Sequence, residues 1–182
     1  MKKVISSLTL CALLSACNEE IKENQVKRYF DLRGLVEKQI KTLDTQKPIV
    51  QKTIIIADSS ENQSVKTINW SKELALFTQV DLNKPAFVQS YQVDSSSMGV
   101  KYTLKNSEKL SVKYLTISRL GEDGISVEAL INNNNYLYET ERHLKLSLKN
   151  NELTDYQIDG FQKIVFGDRK IFKINGIIKR RF

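Results

Sequence analysis

Apolar residues recur in steps of three and four at Val26, Tyr29, Phe30, Leu32, Leu35, Val36, Ile40 and Leu43. That spacing gathers them on one side of a helix and predicts an amphipathic helix over 26–43. Asp31 is a good cap, while Gly34 costs about 1 kcal/mol relative to alanine, so the first turns start near Asp31. Pro48 closes the segment. Beyond it the period changes. Residues 49–57 are rich in β-branched side chains, 58–62 read as a turn, and 64–70 read as the returning strand. Asn69 can cap a short second helix over 70–80, with Trp70, Leu74 and Phe77 on one face. Asn83-Lys84-Pro85 breaks that helix.

After Pro85 the chain reads as strands joined by short turns, beginning with 86–94. Gly121-Glu122-Asp123-Gly124 is a hairpin signal, and 125–131 and 136–148 carry clear apolar faces. Asparagines 132–135 suit a loop, and Gly167-Asp168 turns the chain into its last run, 170–178. Short connections and one apolar face describe an antiparallel sheet with one wet side. The pattern predicts a single α+β domain over 26–182. It combines a curved antiparallel sheet of about eight strands, an N-terminal helix packed on one face, and the short second helix.

The first residues follow a different rule. Met1-Lys2-Lys3 is followed by an apolar run over 4–14 and then by Ser15, Ala16 and Cys17. Leu14-Ser15-Ala16-Cys17 resembles the lipobox of bacterial lipoproteins. The resemblance implies that 1–16 is a signal peptide cut between Ala16 and Cys17, that Cys17 carries the lipid, and that 17–25 is a tether. It places the protein in the cell envelope, on the outer membrane of a Gram-negative bacterium, facing either side. An eleven-residue helix is about 16 Å long, half of a hydrocarbon core, so the run makes a poor permanent span. The membrane is therefore the expected partner through the lipid on Cys17.

Composition narrows the chemistry. The chain has two cysteines; once the leader is gone Cys17 alone remains, which excludes a disulfide and a thiolate metal site. Basic residues outnumber acidic ones 28 to 21 and are spread along the chain, so no nucleic-acid partner is expected. With one histidine, no metal is expected either, and no motif asks for a cofactor. His143 shares a strand face with Glu139, Glu141 and Lys145. Alternate residues on a strand stand about 6.5–7 Å apart, which would admit two carboxylates acting as acid and base. A solvated strand face has the same composition, and no catalytic residue is assigned. Glu139, Glu141 and His143 are simply where converging polar groups would be sought.

The expected function is a non-catalytic binding or interaction module whose partner is an envelope protein or glycan. The alternative is a carrier of a hydrophobic ligand. A helix against a curved antiparallel sheet is similar, in the order of its elements, to the periplasmic lipoprotein-carrier family. That resemblance implies an incomplete barrel holding acyl chains, with some of the fifteen aromatic residues lining it.

Overall fold

The computed structural model describes residues 27–180; the lipobox, with Ala16 and Cys17, and the tether lie outside the described residues. The first helix, α1, is Leu32–Gln46. Asp31 caps it by accepting a hydrogen bond from the Gly34 amide at 3.0 Å. Lys47, in the left-handed region, ends it by donating its amide to the Leu43 carbonyl. The apolar period begins at residue 26, and the helix starts at Leu32 behind its Asp31 cap, where the cap and Gly34 put its first turns, while described residues 27–30 are not helical. Tyr29 has another use: its ring meets Tyr91 and Tyr102 edge-on, and its hydroxyl donates to the Val88 carbonyl at 2.7 Å.

Nine strands form one antiparallel sheet, where the pattern suggested about eight. They are β1 (Ile49–Ile56), β2 (Ser59–Val65), β3 (Tyr91–Ser96), β4 (Gly99–Leu104), β5 (Val112–Leu120), β6 (Gly124–Asn134), β7 (Tyr138–Lys149), β8 (Glu152–Ile164) and β9 (Lys170–Lys179). The order is β2-β1-β9-β8-β7-β6-β5-β4-β3, so β3 to β9 meander by hairpins and β1 adds to the outer side of β9. Among the described residues β2 and β3 are the edges of the sheet. Two boundaries differ from the pattern for a physical reason. β2 starts at Ser59, inside the expected turn, because an edge strand with no apolar face pairs through its backbone and polar side chains, as Gln51 with Ser64 and Thr53 with Asn62. β3 starts only at Tyr91, because Pro85–Phe87 forms a 3₁₀ turn suited to proline at its start.

The connection from β2 to β3 carries α2 (Trp70–Glu73) and α3 (Ala75–Gln79), two short turns in place of the single second helix expected. α1 packs chiefly against these two helices, and together they close one apolar cluster with one face of the sheet. Val36, Leu43, Leu74, Phe77, Leu115, Leu146 and Tyr156 are all fully buried in it. Gln39 on α1 is buried too. It donates to the Asn151 carbonyl at 3.0 Å and accepts from the Leu153 amide at 2.9 Å, pinning the helix to the β7–β8 turn.

Register then defines two ends of the sheet. The β1–β2, β6–β7 and β8–β9 turns share one end, because Ile56 pairs with Phe172, Gln162 with Lys170, and Tyr138 with Ile164. The β7–β8 turn and the end of α1 lie at the other, where Gln46 donates to Glu152 at 3.0 Å.

Candidate functional site

On β1, the residues facing the helices are Val50, Lys52, Ile54 and Ile56. Val50 is 0% exposed and Ile56 is 56% exposed, so the cover runs out along a single strand. β8 does the same, from fully buried Tyr156 to Ile164 at 56% exposure. The boundary is polar. Lys52 Nζ lies 2.7 Å from Glu73 Oε1, and the Tyr156 hydroxyl donates to the same oxygen at 2.6 Å. Burial first, and then the Glu73 carboxylate, push the Tyr156 phenol far above its ordinary pKa. Tyr156 lies across Gly176, where any Cβ would collide with its ring, so β9 must carry glycine there.

Beyond that boundary lies a cavity of about 570 Å³. Its walls are Ile56 of β1, Gln162 and Ile164 of β8, Phe172 and Ile174 of β9, and the β8–β9 turn with Gly167 and Asp168. The lining is almost wholly apolar, and Phe172 and Ile174 join it directly to the core. It is half open to solvent, and its volume falls in the range of about 300–1,000 Å³ used for small-molecule ligands. The turn that forms its lip is held in place: the Val165 amide donates to the Leu137 carbonyl, and the Gly167 amide to that of Ile164, both at 3.0 Å.

Glu139, Glu141 and His143 point the other way, on the face away from the helices. His143 Nε2 lies 3.2 Å from Glu141 Oε1, so these two meet. Glu139 does not join them; it borders a separate shallow cleft with Asn134, Tyr138 and Lys163. The Asn132 amide, with His143 beside it, holds the Glu141 carboxyl below its usual range. A carboxyl kept ionised has no proton to give as an acid. His143 also borders a polar groove with Tyr114, Glu128, Lys145 and Asp159, crossed by a Lys145–Glu128 ion pair of 2.8 Å. Among the described residues no three His, Cys, Asp or Glu side chains are grouped to hold a metal ion.

Two features escaped the pattern reading. Phe161 is buried on this polar face, outside the core, under the Arg169 guanidinium, whose carbon lies 3.4 Å from the ring centroid. The cavity is the other. Its signal was Ile164-Val165-Phe166 running straight into Gly167-Asp168, apolar residues where a turn calls for polar ones.

The fold is thus an α+β protein with one open antiparallel sheet, helices over part of one face, and an apolar cavity at the ends of β1, β8 and β9. Comparison with protein-family models, with curated proteins and with solved structures finds no match. No helix among the described residues is long and apolar enough to cross a membrane.

Proposed function

We propose that this protein is a lipid-anchored envelope protein that binds a hydrophobic ligand, an acyl chain or a lipid, in the cavity between β1, β8 and β9. The cavity carries the proposal. An apolar space of about 570 Å³ continuous with the core suits a flexible hydrocarbon chain. Each methylene buried there contributes about 0.8 kcal/mol. This reading favours the carrier expectation over a protein or glycan partner, whose place would be the polar groove beside His143.

Register suggests an amphiphile with an anionic head. Arg142 lies on the helix-bearing face, in the row Arg142, Gly160, Phe172 across three strands. Gly160 has no side chain to separate them, and a Cβ there would lie 1.9 Å from the Glu141 carbonyl oxygen. A carboxylate or phosphate beside Phe172 therefore has a guanidinium on its own row.

The test is titration of the domain from Asn18 onward with a fluorescent polyene fatty acid. Saturable binding near one equivalent is expected, and it should be abolished by Ile56→Trp, which fills the cavity without touching the packed cluster. Arg142→Ala should weaken it. Absence of saturable binding, or full binding by Ile56→Trp, would contradict the proposal. The anchor has its own test: Cys17→Ser should abolish fatty-acid labelling in cells, and labelling that persists would remove it.

A further inference from the structure

Three apolar turn tips surround the cavity mouth. Phe166, at the head of the β8–β9 turn, is 100% exposed, with Val165 beside it half exposed. Tyr136, in the adjoining β6–β7 turn, is 82% exposed, and Leu137 next to it is also exposed. The two turns are joined by the hydrogen bond between Val165 and Leu137, so these side chains form one patch rather than two loose loops. Ile56 at the end of β1 completes it. Exposed apolar side chains gathered at one end of a fold mark an interaction surface.

We infer that this end of the sheet docks onto an anionic phospholipid bilayer, with Phe166 and Tyr136 seated among the lipids and the cavity mouth facing them. Lys163, Arg169 and Lys170 flank the tip, against Glu139 and Asp168, and long basic side chains reach headgroup phosphates while their stems lie on apolar neighbours. Tyrosines at the rim match the preference of that ring for the interface. The cavity supplies a further argument. Ile164 and the turn that carries Phe166 are also its walls, so a chain leaving the bilayer enters it without crossing water. The described chain also begins toward this end: the Phe30 amide donates to the Tyr102 hydroxyl, on the half of β4 nearer the β4–β5 turn. The proposed acyl group on Cys17, ten residues before the first described residue, would draw this end toward the membrane.

The inference deepens the ligand reading by naming a bilayer as the source, and its test is separate. The chain has one tryptophan, Trp70, which is buried and serves as an unquenched reference. Full-length protein is placed on vesicles of phosphatidylethanolamine and phosphatidylglycerol whose acyl chains carry bromine. Phe166→Trp, at a fully exposed site that folding does not need, should show a blue shift and several-fold stronger quenching than the parent. Leu120→Trp, exposed at the opposite end of the sheet, should match the parent. Replacing phosphatidylglycerol by phosphatidylcholine should reduce the Phe166→Trp signal. Equal behaviour of Phe166→Trp and Leu120→Trp would overturn the docking, as would burial of Phe166 in a dimer without vesicles. Fatty-acid binding without quenching would remove the docking alone, and quenching without fatty-acid binding would leave the docking standing.

Discussion

The two ends of one sheet face are built from similar residues and treated in opposite ways. On β1, Val50 is sealed under the helices while Ile56, six residues on, is more than half exposed. β9 is buried at Ile178 and Gly176 and only half covered at Ile174 and Phe172. The pairing of β1 with β9 continues without a register shift between these points, with Lys52 the one polar residue on the helix-facing side of β1. What changes is the cover. The helices stop near the Lys52, Glu73 and Tyr156 cluster, and no other described part of the chain crosses the remaining strand ends. A strand pattern specifies which face avoids water. It does not specify what will cover that face, and here part of it carries no cover from any described residue.

That contrast can be broken by placing the same charge at both ends. Val36→Asp buries an unpaired carboxylate in the helix cluster and should cost about 4 kcal/mol or more. Ile56→Asp should move stability by no more than about 0.5 kcal/mol. Urea denaturation with unchanged slope checks both, and equal losses would show that the far end is packed after all.

Glu73→Ala removes the partner of a half-buried lysine and a buried phenol, and should cost about 3 kcal/mol. The same denaturation curves read it; a silent substitution would mean the boundary cluster is not holding α2 to β1. Gln39→Leu leaves a turn carbonyl and an amide unpaired, for about 2 kcal/mol, and hydrogen exchange should rise first at Leu153. Arg169→Ala uncovers Phe161 on the far face and should cost about 1 kcal/mol while leaving ligand binding unchanged. A loss of fatty-acid affinity in that variant would link the two faces, which the structure keeps apart.

Much of the packed end was legible from spacing. Leu32, Val36 and Leu43 fall on the buried stripe as the period of three and four requires, and Leu144, Leu146 and Leu148 on the buried face of β7. β2 was misplaced because Ser-Ser-Glu-Asn-Gln-Ser carries no apolar alternation for a period to reveal. The second helix was read as continuous because periodicity has no signal for the break at Leu74. The Glu139, Glu141 and His143 face was correctly grouped by alternation, but alternation cannot tell that Glu139 stands apart from the other two. The cavity needs the third dimension: Ile56, Ile164 and Phe172 are distant in the chain and meet only through the pairing of β1 with β9 and β9 with β8. Burial depends on what lies over a residue, and that information is spread across the whole chain.

The proposed occupant of the uncovered end is a hydrocarbon ligand. Native mass spectrometry of the protein purified from the cells that make it, followed by organic extraction, is the decisive measurement. A bound fatty acid or phospholipid near one per chain is expected, absent from Ile56→Trp prepared in the same way. A clean unliganded mass in the parent protein, or the same lipid at the same occupancy in Ile56→Trp, would contradict it.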